Sequence, residues 1–217
     1  MFSAETKETL YTAVLSDVMD QLGHMNQALR PFVRPLDESL VFIGKARTGL
    51  YTSTYAVGDG ENPYELEIRL LDDLQPGEVP VLACDGPTDR IAPWGELLTT
   101  AAMARGGAGC VTDGLVRDVR KIRELRFPVF HGGIGPLDSR GRGRMIEMDT
   151  PVECGGVRVR SGDIVFGDVD GVVVVPQEIA EKVFRLAFAK VTDENHTRDE
   201  LRAGSLLADV YAKYGVL

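Results

Sequence analysis

The run Gly109-Cys110-Val111-Thr112 is apolar, too short for a helix, and cut off by Asp113-Gly114, after which Val119, Ile122 and Leu125 recur at helical spacing. A buried strand that hands over to a helix in this way restricts the chain to an α/β arrangement, in which chemistry usually sits where strands hand over to helices. Arg117 and Asp118 stand at the mouth of that helix. The same hand-over recurs upstream. Residues 78–84 alternate into an apolar strand, Asp85-Gly86 ends it, and residues 87–94 form a loop leading to Trp94-Gly95-Glu96-Leu97-Leu98, which reads as a helix start. The first N–H groups of that helix have no internal partner and suit a carboxylate. Taken alone, Arg117 beside Asp118 reads equally well as a salt bridge or as an acid that complements the helix dipole.

Elsewhere the pattern is coarser. Residues 6–22 carry Leu10, Val14, Leu15, Val18, Met19 and Leu22 at helical spacing, with Ser16 as the cap of a second helix and Gly23 as the stop. Residues 30–35 are a proline-rich connector. Residues 41–52 form one strand or a bent pair, with Gly44 and Gly49 read as bulges. Residues 63–74 are helical until Gln75-Pro76-Gly77. Residues 131–144, with five glycines and a proline, read as a mobile surface loop near something functional, and residues 145–159 as two short strands. Residues 163–166 and 172–175 flank a tight Asp-Gly hairpin; its aspartates lack the closing Glu of a calcium loop, so the turn reads as structural. Residues 177–196 carry the longest helical pattern, continuing to Gly204, and are polar enough to be expected on a neighbouring subunit.

A chain of 217 residues, 44% hydrophobic and 26% charged, suits a single domain, residues 1–217, with residues 176–217 as a C-terminal helix and tail. No stretch reads as a leader or a membrane span, which predicts a cytoplasmic protein. Cys84, Cys110 and Cys154 are odd in number and widely spaced, as reduced core thiols would be. The net charge of −9 opposes nucleic-acid binding, and Arg140-Gly141-Arg142-Gly143-Arg144 reads as a solvated loop or subunit contact. The sequence holds no Gly-x-Ser-x-Gly elbow, P-loop, His-Glu-x-x-His or Cys-x-x-Cys. What remains is oxygen ligands, an arginine and backbone amides. That set suits Mg²⁺, with Mn²⁺ as the alternative: Asp118 as the metal ligand, the amides of Gly95, Glu96, Leu97 and Leu98 as the binding site for a 2-oxo acid carboxylate, and Arg117 on the keto oxygen, where charge grows as a pyruvate enolate forms.

Gly95-Glu96-Leu97-Leu98, then Asp113-Gly114-x-x-Arg117-Asp118, then Gly167-Asp168-Val169-Asp170-Gly171-Val172-Val173-Val174-Val175-Pro176, in that order, resemble the superfamily of 4-hydroxy-4-methyl-2-oxoglutarate and 4-carboxy-4-hydroxy-2-oxoadipate aldolases and the regulator of ribonuclease activity A. The resemblance runs from about Ser16 to the C-terminal tail. It implies a layered β/β/α fold like the swivelling phosphohistidine domain, a homotrimer or homohexamer with sites between subunits, and metal-dependent (class II-like) aldol cleavage to pyruvate with oxaloacetate decarboxylase activity. It also implies catalytic roles for Arg117, for Glu96, and for Glu194 from an adjacent subunit; Glu96 stands where many members have Asp. Retention of Asp118 speaks against the alternative, a non-catalytic regulator with a ribonuclease partner. A second alternative is a lyase or dehydratase acting on a sugar acid.

Overall fold

The N-terminal helical spacing resolves into α1 (Ala4–Thr9) and α2 (Thr12–Gln21) in the computed structural model, which describes residues 4–215. The break falls at Leu10 and Tyr11, not at Ser16, which lies inside α2. No cap is needed at Ser16, because the carboxylate of Asp168 accepts both the N–H of Thr12 at 2.8 Å and its hydroxyl at 2.8 Å. Along the chain follow β1 (Arg34–Pro35), β2 (Phe42–Ser53), α3 (Glu65–Asp72), β3 (Glu78–Ala83), α4 (Glu96–Ala104), β4 (Cys110–Thr112), β5 (Leu115–Val116) and α5 (Val119–Leu125). Then come β6 (Val129–His131), β7 (Gly133–Ile134), β8 (Gly143–Met148), β9 (Val152–Cys154), β10 (Val157–Val159), β11 (Ile164–Asp168), β12 (Gly171–Val175), a 3₁₀ turn at Gln177–Ile179, α6 (Ala180–Arg202) and α7 (Leu207–Tyr214).

The fold is mixed α/β. β2, β3, β4 and β6 run parallel, joined by crossovers through α3, α4 and α5, while β11, β12 and β8 pair antiparallel. The sheet order is β1-β6-β4-β3-β2-β11-β12, with β8 on the far half of β2. Ala28 bridges Val173 on β12, and the same segment leads within a few residues into β1, so the sheet nearly closes into a barrel. Inside it Phe42 and Phe130 meet edge to face at 5.2 Å, packed with Val81, Val111, Val165 and Val174. Leu70, Leu71, Leu82, Trp94 and Ile122 fill the layer beneath α3–α5, and Val14, Val18, Phe166, Val173, Val183 and Ala187 fill that under α2 and α6.

Several sequence expectations are corrected. β2 carries no bulge at Gly44 or Gly49; the one register shift along it lies opposite Leu50 and Tyr51, where the extra residue, Ile146, belongs to β8. Those glycines serve close approach instead: a Cβ on Gly44 would lie 2.5 Å from the carbonyl oxygen of Gly77, and one on Gly49 would lie 2.6 Å from the methyl of Met145. Residues 131–144 are not a free loop, since Gly133 and Ile134 pair with Leu115 and Val116 and residues 143–144 open β8. Residues 145–159 hold parts of three strands rather than two. The C-terminal helix ends at Arg202 and a separate α7 follows; its first turns pack at home, Val183 and Ala187 being buried against the α2 layer. The three cysteines are free and buried, and no helix of the described residues is long and apolar enough to cross a membrane.

Candidate active site

A cleft of about 300 Å³ opens beyond the carboxyl ends of the parallel strands, where β3 hands over to α4 and β4 to α5. Two loops are tied there edge to edge: Trp94 bridges Val116, and the N–H of Arg117 donates to the Trp94 carbonyl at 3.0 Å. Trp94 is buried, and its indole N–H donates to Thr99 at 2.8 Å, whose hydroxyl in turn donates to the Gly95 carbonyl at 2.9 Å. This chain of bonds fixes the start of α4. The first bond of the α4 ladder is from Thr99 to Gly95, so the amides of Leu97 and Leu98 precede it.

Asp118 enters α5 in the left-handed region, with φ of 58°. There its Oδ2 accepts the N–H of Glu96 at 3.3 Å and lies 3.7 Å from Nε of Arg117. Arg117 also reaches Asp138 at 3.6 Å. Gly95, Leu97, Leu98, Arg117 and Asp118 all line the cleft. The side chain of Glu96 points elsewhere, accepting the Thr100 hydroxyl at 3.0 Å. Glu194 lies in a separate hollow with Asp17, Thr197 and Arg198, where it accepts the Tyr11 hydroxyl. Within one chain, therefore, the structure brings together five of the seven sequence candidates.

The opposite wall holds residues the sequence reading did not single out: Tyr64 just before α3, Glu67 within it, and Asp138 and Ser139 of the loop before β8. The Tyr64 hydroxyl donates to Asp138 at 2.9 Å. Burial pushes the Asp138 carboxyl up, but the Arg140 N–H, Tyr64 and Arg117 outweigh it and hold that carboxyl below its ordinary range. Glu67 is buried and accepts the Tyr51 hydroxyl at 2.6 Å. Burial raises its pKa to about 7; the Tyr51 bond and Arg117 oppose the rise and Asp138 adds to it. A signal for Glu67 was present: with Leu70, Leu71 and Leu74 it falls at helical spacing on the core stripe of α3, where an acid is out of place. His131 is buried in β6 outside this cleft, and burial lowers its pKa to about 4.

A family model described as RraA-like, aldolase/RraA, matches residues 12–174. A protein of Halalkalibacterium halodurans named "Putative 4-hydroxy-4-methyl-2-oxoglutarate aldolase" is 33% identical over 94% of this chain and 88% of its own. One of the same name from Halorhodospira halophila is 31% identical over 78% of this chain and 98% of its own. Among solved structures, an uncharacterized protein from Pseudomonas syringae superposes with a TM-score of 0.85 at 28% identity, covering 97% of this chain and 92% of that one. Streptomyces coelicolor RraAS2, described as an unusual member of the RNase ES inhibitor RraA protein family, gives 0.78 at 27% identity over 91% and 97%.

Proposed function

The chain belongs to the RraA-like family of aldolases and RraA proteins, and on that footing we propose that it is a divalent-metal-dependent lyase releasing pyruvate from a 4-hydroxy-2-oxo acid. One observation carries this reading: Arg117, Asp118 and the start of α4 converge on one cleft, with Gly95 leaving the room they need. Asp118 fits Mg²⁺ or Mn²⁺ as an exposed oxygen donor for a hard cation that takes one or two carboxylates and keeps its waters. No group of three or more His, Cys, Asp or Glu among the described residues offers a full protein cage. When bound, such a cation supplies Lewis-acid polarisation of the oxygens of a 2-oxo acid. The amides of Leu97 and Leu98 hold the substrate carboxylate. Arg117 faces the keto oxygen and stabilises the charge that grows there, whether C3 loses a carbonyl fragment in aldol cleavage or carbon dioxide from oxaloacetate.

The layered swivelling-domain arrangement, a trimer or hexamer and a cytoplasmic location belong to the same reading. Leu97, 76% exposed at the cleft rim, and the exposed Leu206, Leu207 and Tyr211 support further association. Glu194 would then reach a neighbour's cleft. The test is pyruvate release from oxaloacetate and from 4-hydroxy-4-methyl-2-oxoglutarate with Mg²⁺ and then with excess chelator. Turnover that chelator abolishes supports the reading, and turnover indifferent to chelator refutes it.

One observation favours a sugar acid as the substrate instead. Among the described residues lining the cleft Arg117 is the only cation, and the cleft also presents Glu67, Asp138 and Tyr64. Acids and hydroxyls receive a hydroxylated distal half better than a second carboxylate. The regulator reading has the shared fold and an acidic chain of net charge −9 in its favour. Failure of the protein to retain ribonuclease E in a pull-down would remove it.

A further inference from the structure

Glu67 sits where an amphipathic helix should carry an apolar residue. Its neighbours on that stripe, Leu70, Leu71 and Leu74, are buried in the core layer beneath α3. An acid there is removed from water and retained only with a partner. The partner is Tyr51, buried on β2 opposite the place where β8 carries its extra residue, Ile146. The carboxyl nevertheless lines the cleft that holds Arg117 and Asp118. A buried acid with one fixed hydrogen bond and access to a ligand cavity is a built proton carrier rather than a packing accident.

We propose that Glu67, oriented by Tyr51, is the acid–base residue of this cleft for the aldol half of the chemistry. It takes the proton from the 4-hydroxyl of a 4-hydroxy-2-oxo acid. The O–H electron pair forms the new carbonyl at C4, the C3–C4 bond breaks, and its electron pair stays with C3 and the keto group of the pyruvate half. The same carboxyl then returns its proton to C3, giving the methyl of pyruvate, so no proton or electron is left over. The proposal rests on the lyase reading.

The surroundings of Glu67 suit this cycle. Tyr51 from β2, Cys84 beyond β3, Tyr64 at the start of α3, Arg117 after β5 and Asp138 from the loop before β8 are the ionisable groups that act on it or feel its charge. Arg144 on β8 is taken by Glu61, and Glu96 on α4 accepts from Thr100. Burial brings Glu67 to about 7, the range in which a carboxyl both accepts and gives a proton efficiently. Across the cleft, Asp138 is held below its ordinary range, Tyr64 is raised above its own by burial and Asp138, and an arginine does not give up its proton.

The deciding experiment compares two reactions in one variant. Decarboxylation of oxaloacetate has no hydroxyl proton to remove, and the enolate it leaves can take its C3 proton from water, whereas cleavage of 4-hydroxy-4-methyl-2-oxoglutarate or 4-hydroxy-2-oxopentanoate cannot begin until the hydroxyl proton is taken. Glu67→Gln should lower kcat for cleavage by about a hundredfold or more while decarboxylation changes by less than about fivefold. Equal losses in both, or none in cleavage, overturn the proposal and leave the lyase reading standing. A wild-type protein that turns over none of the three substrates overturns the lyase reading itself. Tyr51→Phe gives an independent check, because it removes the donor that favours the carboxylate. The acidic limb of the cleavage profile should move to higher pH with KM unchanged, and an unmoved limb counts against the assignment. The ¹³C carboxyl spectrum of glutamate-labelled protein supplies a readout without turnover: one resonance titrating near neutrality, absent in Glu67→Gln.

Discussion

A Cβ on Gly95 would lie 2.8 Å from Oδ2 of Asp118 and 3.1 Å from Cγ of Arg117. The glycine before α4 is therefore the space in which the acid and the arginine of the next hand-over are seated. Gly95→Ala should cost stability only modestly, about 1 kcal/mol, because Asp118 is exposed and free to yield. What it displaces is the carboxylate. Mg²⁺ binding followed by calorimetry should weaken at least tenfold, and unchanged affinity would mean that Asp118 does not hold the cation.

Asp118 itself separates strain from function. Its φ of 58° is tolerated by Asp, suits Gly, and is costly for most other residues. Asp118→Gly should raise or preserve the melting temperature while abolishing Mg²⁺-dependent pyruvate release, and Asp118→Ala should abolish release with a loss of about 1 kcal/mol. Pyruvate release that persists in both variants would remove Asp118 from the site.

How much of this was legible differs between the two walls of the cleft. Gly95, Leu97, Leu98, Arg117 and Asp118 could be placed from the sequence because each lies within a few residues of a strand-to-helix hand-over, a local signal. Tyr64, Glu67 and Asp138 arrive from α3 and from a loop more than sixty residues away in the chain. Only the tertiary closure brings them opposite Arg117. The acid on the core stripe of α3 was readable as an anomaly, but not what it faces. The hairpin at β11 and β12 was legible from its Asp-Gly tip; that Asp168 caps α2 from 156 residues away was not.

That cap predicts a stability effect without a catalytic one. Asp168 accepts the N–H and hydroxyl of Thr12 and also the N–H of Asp170 at 3.0 Å, and it is buried. Asp168→Ala should cost about 2 kcal/mol, the range for losing a buried charge-assisted cap. Urea unfolding measures it, and pyruvate release per folded molecule should not change.

Two buried groups pull the pH dependence of stability in opposite directions. Burial lowers His131 from 6.5 to about 4, so between those values the unfolded chain binds more protons and stability rises with pH. Burial raises Glu67 from 4.5 to about 7, so across that interval the folded chain holds the extra proton and stability falls with pH. The windows overlap from 4.5 to 6.5, where the two slopes offset each other. Relative to wild type, Glu67→Gln should make the urea midpoint rise more steeply over that window, and His131→Gln should make it fall. Both slopes matching wild type would show that neither group is buried in the state assigned to it.

Glu194 offers the sharpest test of assembly, because within one chain it does not line the cleft at all. It accepts the Tyr11 hydroxyl in a hollow between α2 and α6, beside Asp17 and Arg198. A catalytic role therefore requires that a second copy bring this hollow to the cleft of the first. If so, Asp118→Asn and Glu194→Gln subunits, each inactive alone, should regain activity when unfolded together and refolded as a mixture. Some of the mixed interfaces would then pair an intact Asp118 with an intact Glu194. Should Glu194→Gln be fully active alone, the residue belongs to the α2–α6 packing and not to the chemistry. If both variants are inactive and no mixture recovers, two explanations remain: the two residues serve the same chain, or Glu194 is needed only to hold that packing. Tyr11→Phe decides between these, since it breaks the contact while keeping the carboxylate. Loss of activity equal to that of Glu194→Gln would mark the contact as structural.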